Sequence, residues 1–359
     1  MGAKETKISD EFQHELESSI CTPEWCYFVI LILQKAFPRE RGVVPIILRE
    51  KIIRMLQTTH TYTRNWRFEG RELRFGPYHF QKYNIHLRVG EVGGVRLAKM
   101  LPWMATLTDI DLTECGIADA GGTALANALS NSHPLTSLNL TNNSITDIGA
   151  IKLAQALPSS NLLWLRLRYN WITDIGMKYL AKALPFSRLD GISLSWNKIT
   201  DEGVRTMMDY LNLDPGRIWT RQELPIPRLT RLYLRGNNIT DTGAKFIARQ
   251  LRYGELRELC LNETYIGDAG TTALAKALPY SKMRILGLQS NYITDIGSQQ
   301  LTSHISRSKL RELDIRNNNI KEELEDIYRY IDLNIDNEYI TILRHEWQDK
   351  LNCAWQDIE

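Results

Sequence analysis

Two short stretches hold the densest recognition chemistry in the chain: Trp164, Arg166, Arg168 and Tyr169, then, after Trp196, Arg231, Tyr233 and Arg235. Alternate residues of an extended chain point to one face, so these arginines and aromatics are predicted to share a surface. A guanidinium fork fits a carboxylate or phosphate with two hydrogen bonds, and Trp, Tyr and Arg dominate the centres of protein interfaces. The expected ligand is another protein with an acidic or phosphorylated surface. Internal stacking of the same side chains across neighbouring strands is the competing reading. Trp219, between Arg217 and Arg221, carries the same chemistry in an insertion and completes the candidate site.

Catalytic chemistry has no comparable signature. None of the 7 histidines pairs with another at ligand spacing, and neither a glycine-rich phosphate loop nor a G-x-S-x-G elbow occurs. Asp109 and Asp111 form a carboxylate pair, but alternation along a strand reads them as a solvated face. The chain is therefore expected to be no enzyme and to need no cofactor or metal.

The elements that position the arginines come from a repeat of about 27 residues. Its aligned aspartates are Asp119, Asp147, Asp174, Asp201, Asp241, Asp268 and Asp295, spaced 28, 27, 27, 40, 27 and 27. One interval exceeds the usual 27 by 13 residues, which places an insertion at 212–228. In the unit that starts at Leu162, the spacing of Leu162, Leu165 and Leu167 predicts a short strand with one buried face. Leu180, Ala181, Ala183 and Leu184 then fall at helical spacing, after Thr173 and Asp174, which can accept hydrogen bonds from the free N–H groups of a helix start. Pro158, Pro185 and Pro279 stand where each helix has to stop. Stacked units give a parallel sheet on one side and helices on the other. Asn143, Asn170, Asn197, Asn237, Asn291 and Asn318 recur where a buried amide could join adjacent turns as a ladder, with Cys115 and Thr264 as exceptions.

This pattern, from roughly Glu91 to Ile331, resembles the ribonuclease-inhibitor subfamily of leucine-rich repeat proteins, whose repeats also occur in NOD-like receptors and Ran GTPase-activating protein. The resemblance implies an α/β solenoid with a curved parallel sheet inside and helices outside, acting as a non-enzymatic scaffold that binds a partner on its concave face. Read with the alternation of strand residues, it puts Asp109, Asp111, Thr113, Ser193, Ser195, Glu258, Cys260, Asn262, Glu263, Glu312 and Asp314 on that face beside the arginine patch. A basic, aromatic centre flanked by acidic ends is expected. Trp171, Tyr265 and Tyr292, one residue past the ladder position, either extend the patch along the loop edge or pack within the turns.

The organisation is expected to be a helical N-terminal region at 1–57, a basic and aromatic capping segment at 58–90, the solenoid at 91–331 and a C-terminal cap or tail at 332–359. Trp66, Phe68, Leu73 and Phe75 alternate around Glu69 and Gly70, which reads as a capping hairpin rather than a nucleic-acid surface. Residues 44–56 resemble the first helix of an F-box, which implies the alternative of a ubiquitin-ligase substrate receptor. Resemblance to Ran GTPase-activating protein implies a second alternative, an activator of a small GTPase, although that family's long acidic tail is absent. The net charge is +2, and the 5 cysteines show no regular framework, which points to a reducing compartment and a cytoplasmic protein. The start Met1-Gly2-Ala3-Lys4-Glu5-Thr6 fits the myristoylation pattern, so membrane contact is expected only if Gly2 is acylated.

Overall fold

The computed structural model describes residues 72–74, 90–101, 107–129, 134–211, 227–321 and 341–343. Those residues form a leucine-rich repeat solenoid. Ten strands stack in sequence order into one parallel sheet: β1 Glu72–Arg74, β2 Asp109–Asp111, β3 Ser137–Asn139, β4 Trp164–Arg166, β5 Gly191–Ser193, β6 Arg231–Tyr233, β7 Glu258–Cys260, β8 Ile285–Gly287, β9 Glu312–Asp314 and β10 Thr341–Leu343. Eight helices alternate with them: α1 Gly90–Met100, α2 Ala118–Ala128, α3 Asp147–Ala156, α4 Asp174–Ala183, α5 Asp201–Leu211, α6 Asp241–Leu251, α7 Asp268–Ala277 and α8 Asp295–Ile305. Helices need about 10 Å of width and strands about 4.8 Å, so the helical side forms the outer, longer arc.

Each strand is only three residues long, and its middle residue is its inward anchor. Ile110, Leu138, Leu165, Ile192, Leu232, Leu259, Leu286 and Leu313 sit in one register row and are buried at the strand–helix boundary. The leucine two residues on and the isoleucine of the turn join them, as Leu167 and Ile172 do, in a single continuous apolar core. Pro158, Pro185 and Pro279 stand inside a tight final turn that follows the helix, at Leu157–Ser159, Leu184–Phe186 and Leu278–Tyr280.

Neighbouring repeats are joined by two sets of side chains. Asn170 Oδ1 accepts from the backbone N–H groups of Asn143 (3.2 Å) and Ile145 (2.8 Å), while its Nδ2 donates to the carbonyls of Leu140 (2.9 Å) and Leu167 (3.0 Å). Asn143, Asn197, Asn237, Asn291 and Asn318 likewise donate to the preceding repeat. At the Thr264 exception, its hydroxyl lies 2.8 Å from Asn291 Oδ1 and so stays within the ladder.

Of the two residue types expected to accept at a helix start, threonine does so at α3, α4, α5, α6 and α8, as when Thr173 Oγ1 accepts from Ile175 N at 3.2 Å, and the aspartate is used elsewhere. Each aspartate reaches the repeat that follows. Asp147 Oδ1 accepts from Thr173 N (2.8 Å) and Gly176 N (2.9 Å), and its Oδ2 accepts from Thr173 Oγ1 (2.6 Å). A Cβ at Gly176 would lie 2.7 Å from that same carboxylate oxygen, which is why the repeat spells D-x-G.

Truncating a ladder asparagine leaves buried N–H and C=O groups unpaired, at about 1–3 kcal/mol for each group. Asn197→Ala is therefore expected to destabilise the array by about 3 kcal/mol or more, and Asp174→Ala, whose partners are part-exposed, by about 1–2 kcal/mol. Urea midpoints of the two variants against wild type test the order; equal or inverted losses would contradict it.

Candidate functional site

The register of the sheet converts the sequence map into four rows across the concave face. One row runs Asp109, Ser137, Trp164, Gly191, Arg231, Glu258; the next runs Asp111, Asn139, Arg166, Ser193, Tyr233, Cys260. Arg168, Ser195 and Arg235 follow two residues further along each chain. Then comes a residue with positive φ in every turn: Glu114, Asn142, Tyr169, Trp196, Gly236, Glu263, Ser290 and Asn317. Tyr169 (φ 52°) and Trp196 (φ 55°) put two bulky aromatics in a backbone conformation that costs them on the order of 1 kcal/mol each. They are neighbours, and their rings stack at 5.3 Å with 13° between planes.

Both tryptophans of the patch lie flat over a glycine of the next repeat. An added Cβ at Gly191 would fall within the Trp164 ring, and one at Gly236 would meet the Trp196 indole. Trp164 then reaches Tyr233 edge-on at 5.7 Å, and the guanidinium carbons of Arg166 and Arg231 stand 5.0 and 4.7 Å from its ring centre. Arg168 lies 4.9 Å from the ring of Tyr169. The structure thus brings Trp164, Arg166, Arg168, Tyr169, Trp196, Arg231, Tyr233 and Arg235 into one cluster, and much of their surface is spent on each other. Trp219, Gly2 and the F-box-like stretch 44–56 lie outside the described residues.

Three features depart from the sequence expectation. Tyr233, expected as an exposed anchor, is buried; its hydroxyl donates to Glu258 Oε2 at 2.6 Å, and burial together with that bond pushes its pKa up. Thr113, Ser193, Ser195, Cys260, Asn262 and Asp314 are buried too, because longer side chains of neighbouring strands lean over them. Two arginines are already neutralised within the fold: Arg231 pairs with Asp190 and Arg235 with Glu263. Asp190 comes just before β5 and was not legible as a partner, since alternation alone does not say which neighbour a long side chain leans toward.

Arg166 is different. Its one side-chain hydrogen bond among the described residues is Nη1 to Ser137 Oγ at 3.3 Å, and none of the described carboxylates pairs with it. Burial pulls its pKa down to about 10, against the more distant pull of Asp111, Tyr233 and Asp109, so the group remains cationic at neutral pH. A half-buried guanidinium held by an indole and one hydroxyl is poised for an incoming anion.

On the loop edge, Trp171, Tyr265 and Tyr292 are 52%, 53% and 56% exposed, so they extend the aromatic surface and do not pack into the turns. Lys198 Nζ covers the Trp171 ring at 4.2 Å, and Tyr265 stacks on Tyr292 at 6.1 Å.

The chain carries leucine-rich repeats by sequence as well as by fold. A family model described as Leucine Rich repeat matches residues 104–126, 131–154, 159–181, 192–208 and 227–248, and a second, Leucine Rich Repeat, matches 309–329. Leucine-rich repeats generally serve as non-enzymatic protein-interaction scaffolds. Among solved structures the chain is similar to an internalin from Listeria monocytogenes, at 17% identity and a TM-score of 0.41, covering 66% of this chain and 64% of that one. The chain therefore spans slightly under two thirds of that protein. No curated protein matches the sequence.

Gly191→Ala should displace the Trp164 indole and cost about 1–3 kcal/mol by overpacking. In a double-mutant cycle with Trp164→Ala, most of that cost should vanish, with a coupling of about 1 kcal/mol or more. Additive losses in chemical denaturation would show that the glycine does not exist to seat the ring.

Proposed function

We propose that this protein is a non-enzymatic interaction scaffold that holds an acidic or phosphorylated segment of another protein against the centre of its concave face. The observation that carries the reading is Arg166, a desolvated cation with no carboxylate partner among the described residues, set against the Trp164 ring. Arg231 and Arg235 support the rings and turns through Asp190 and Glu263 and contribute little free charge. Arg166, with Arg168 and the exposed face of Tyr169, supplies the contact. A helix of ten or eleven residues in each complete repeat supports assigning the repeats to the ribonuclease-inhibitor type. Cys115 and Cys260, both buried thiols, favour a reducing compartment such as the cytoplasm.

The discriminating variant is Arg166→Gln. It removes the unpaired charge without placing a carboxylate beside Asp109 and Asp111 or breaking an internal ion pair. Arg235→Glu would face Glu263 and destabilise the turn. Affinity purification with mass spectrometry on wild type and Arg166→Gln, both confirmed to melt cooperatively, should show at least one partner depleted about tenfold, as expected for one charge-assisted hydrogen-bond pair. An unchanged partner list would place the binding surface elsewhere.

A further inference from the structure

Strand β5 presents the smallest side chains of the concave centre. Its concave-side residues Gly191 and Ser193, with Ser195 just beyond, lie between a wall of Trp164, Arg166 and Arg168 and a wall of Arg231, Tyr233 and Arg235. Ile192 and Leu194 point into the core. The Trp164 indole roofs the Gly191 end, so the trough proper runs from Ser193 to Ser195, about 7 Å from the strand rise over two residue steps, beneath the longer side chains on either side.

Its floor is polar and unsatisfied. Ser193 and Ser195 are both 0% exposed, yet neither hydroxyl has a hydrogen-bond partner among the described residues, and the same holds for Trp196 Nε1. Other buried serines behave differently: Ser160, Ser187 and Ser281 donate to carbonyls at 3.0, 2.9 and 2.8 Å. Leaving a buried hydroxyl unmade costs about 1–3 kcal/mol. Two such groups in consecutive concave positions of one strand, followed at once by an unpaired indole N–H, therefore need a cause. All three can donate. The nearby acceptors are taken, Asp190 by Arg231 and Thr230, Glu263 by Arg235 and Glu258 by Tyr233. Arg166 stands in register with Ser193 and is held by one 3.3 Å hydrogen bond to Ser137 and by the Trp164 ring.

We infer that the β5 trough is an oxyanion seat, in which Ser193, Ser195 and Trp196 Nε1 donate to a carboxylate or phosphoryl group while Arg166 supplies the compensating charge. This rests on the concave-face reading and sharpens it: Ser193 and Ser195 become the positioning residues for the anionic group of the partner. Entry requires the Arg166 guanidinium to swing off its contacts with Ser137 and the Trp164 ring. A planar carboxylate and a tetrahedral phosphoryl group share this chemistry, and the test separates them.

The full chain, labelled with 15N, would be titrated separately with inorganic phosphate and with acetate, using sodium chloride at matched ionic strength as control. The readout is the indole N–H resonance of Trp196, assigned by its loss in Trp196→Phe. One anion should shift it saturably, with half-saturation at about millimolar concentration. The better anion tells a phosphorylated from an acidic segment. Ser193→Ala/Ser195→Ala should weaken the response about tenfold or more while leaving the anion-free melting temperature unchanged or slightly higher, because removing an unpaired hydroxyl is not destabilising. No saturable shift with either anion, a shift equal to that in chloride, or a response unaltered in the double variant would overturn the seat. If Arg166→Gln loses a partner that the double serine variant keeps, the partner surface stands and the seat fails. If the anions bind but Arg166→Gln loses no partner, the seat stands and the partner surface fails.

Discussion

A turn buried between two others cannot leave its amides unpaired, and the recurrent asparagine is how this chain meets that constraint. Its side-chain amide has two donors and a two-lone-pair acceptor, enough to close its own turn and the turn before it in one group. Asn170 does this for five backbone partners. The stacking of strands, the burial of the template leucines and the constant position of the positive-φ residue all require the turns to superpose. The ladder is what makes them superpose. Where threonine replaces asparagine at 264, its hydroxyl still touches Asn291, so the chain of contacts is thinned but continuous.

Regular turns explain why irregular side chains can be concentrated on the concave face. Strand middles and turns are fixed by the template, so the outward positions of β4, β5 and β6 are free to carry Trp, Gly, Ser and Arg. In that region the sheet tolerates features that the other described residues lack: two aromatic residues with positive φ, two indoles laid over glycines, and buried hydroxyls without partners. Each costs stability. Strain and unmade bonds that gather in three adjacent strands of an otherwise uniform array are the physical ground for the proposed binding surface.

The fold was legible because its signal repeats. Leu162, Leu165 and Leu167 announce a strand, Leu180 to Leu184 a helix, and seven aligned aspartates count the units. The role of those aspartates was not legible, because their partners lie 26 to 30 residues on, or 39 to 42 across the insertion, in the next repeat. For the site, the alternation that located Arg166 correctly also placed Ser193, Ser195 and Tyr233 in solvent, and there it failed. Alternation gives direction but not what leans across. The clue was Gly191, a glycine in strand register between Trp164 and Arg231, which marks a close approach by a neighbouring group.

The two sets of bridging side chains run in opposite senses. Each asparagine completes the repeat behind it, whereas each aspartate completes the repeat ahead. Cutting the array on its N-terminal side would strip the carboxylate from the next helix start, and cutting on its C-terminal side would strip the amide from the last remaining turn. An interior repeat is thus indebted in both directions, and no boundary between units is a natural severing point. Every junction therefore carries both halves of the link: Asp295 still completes the unit ahead of it by accepting from Lys321 N, and before α2, where no aspartate precedes, Glu91 takes the aspartate's place by accepting from Ala120 N.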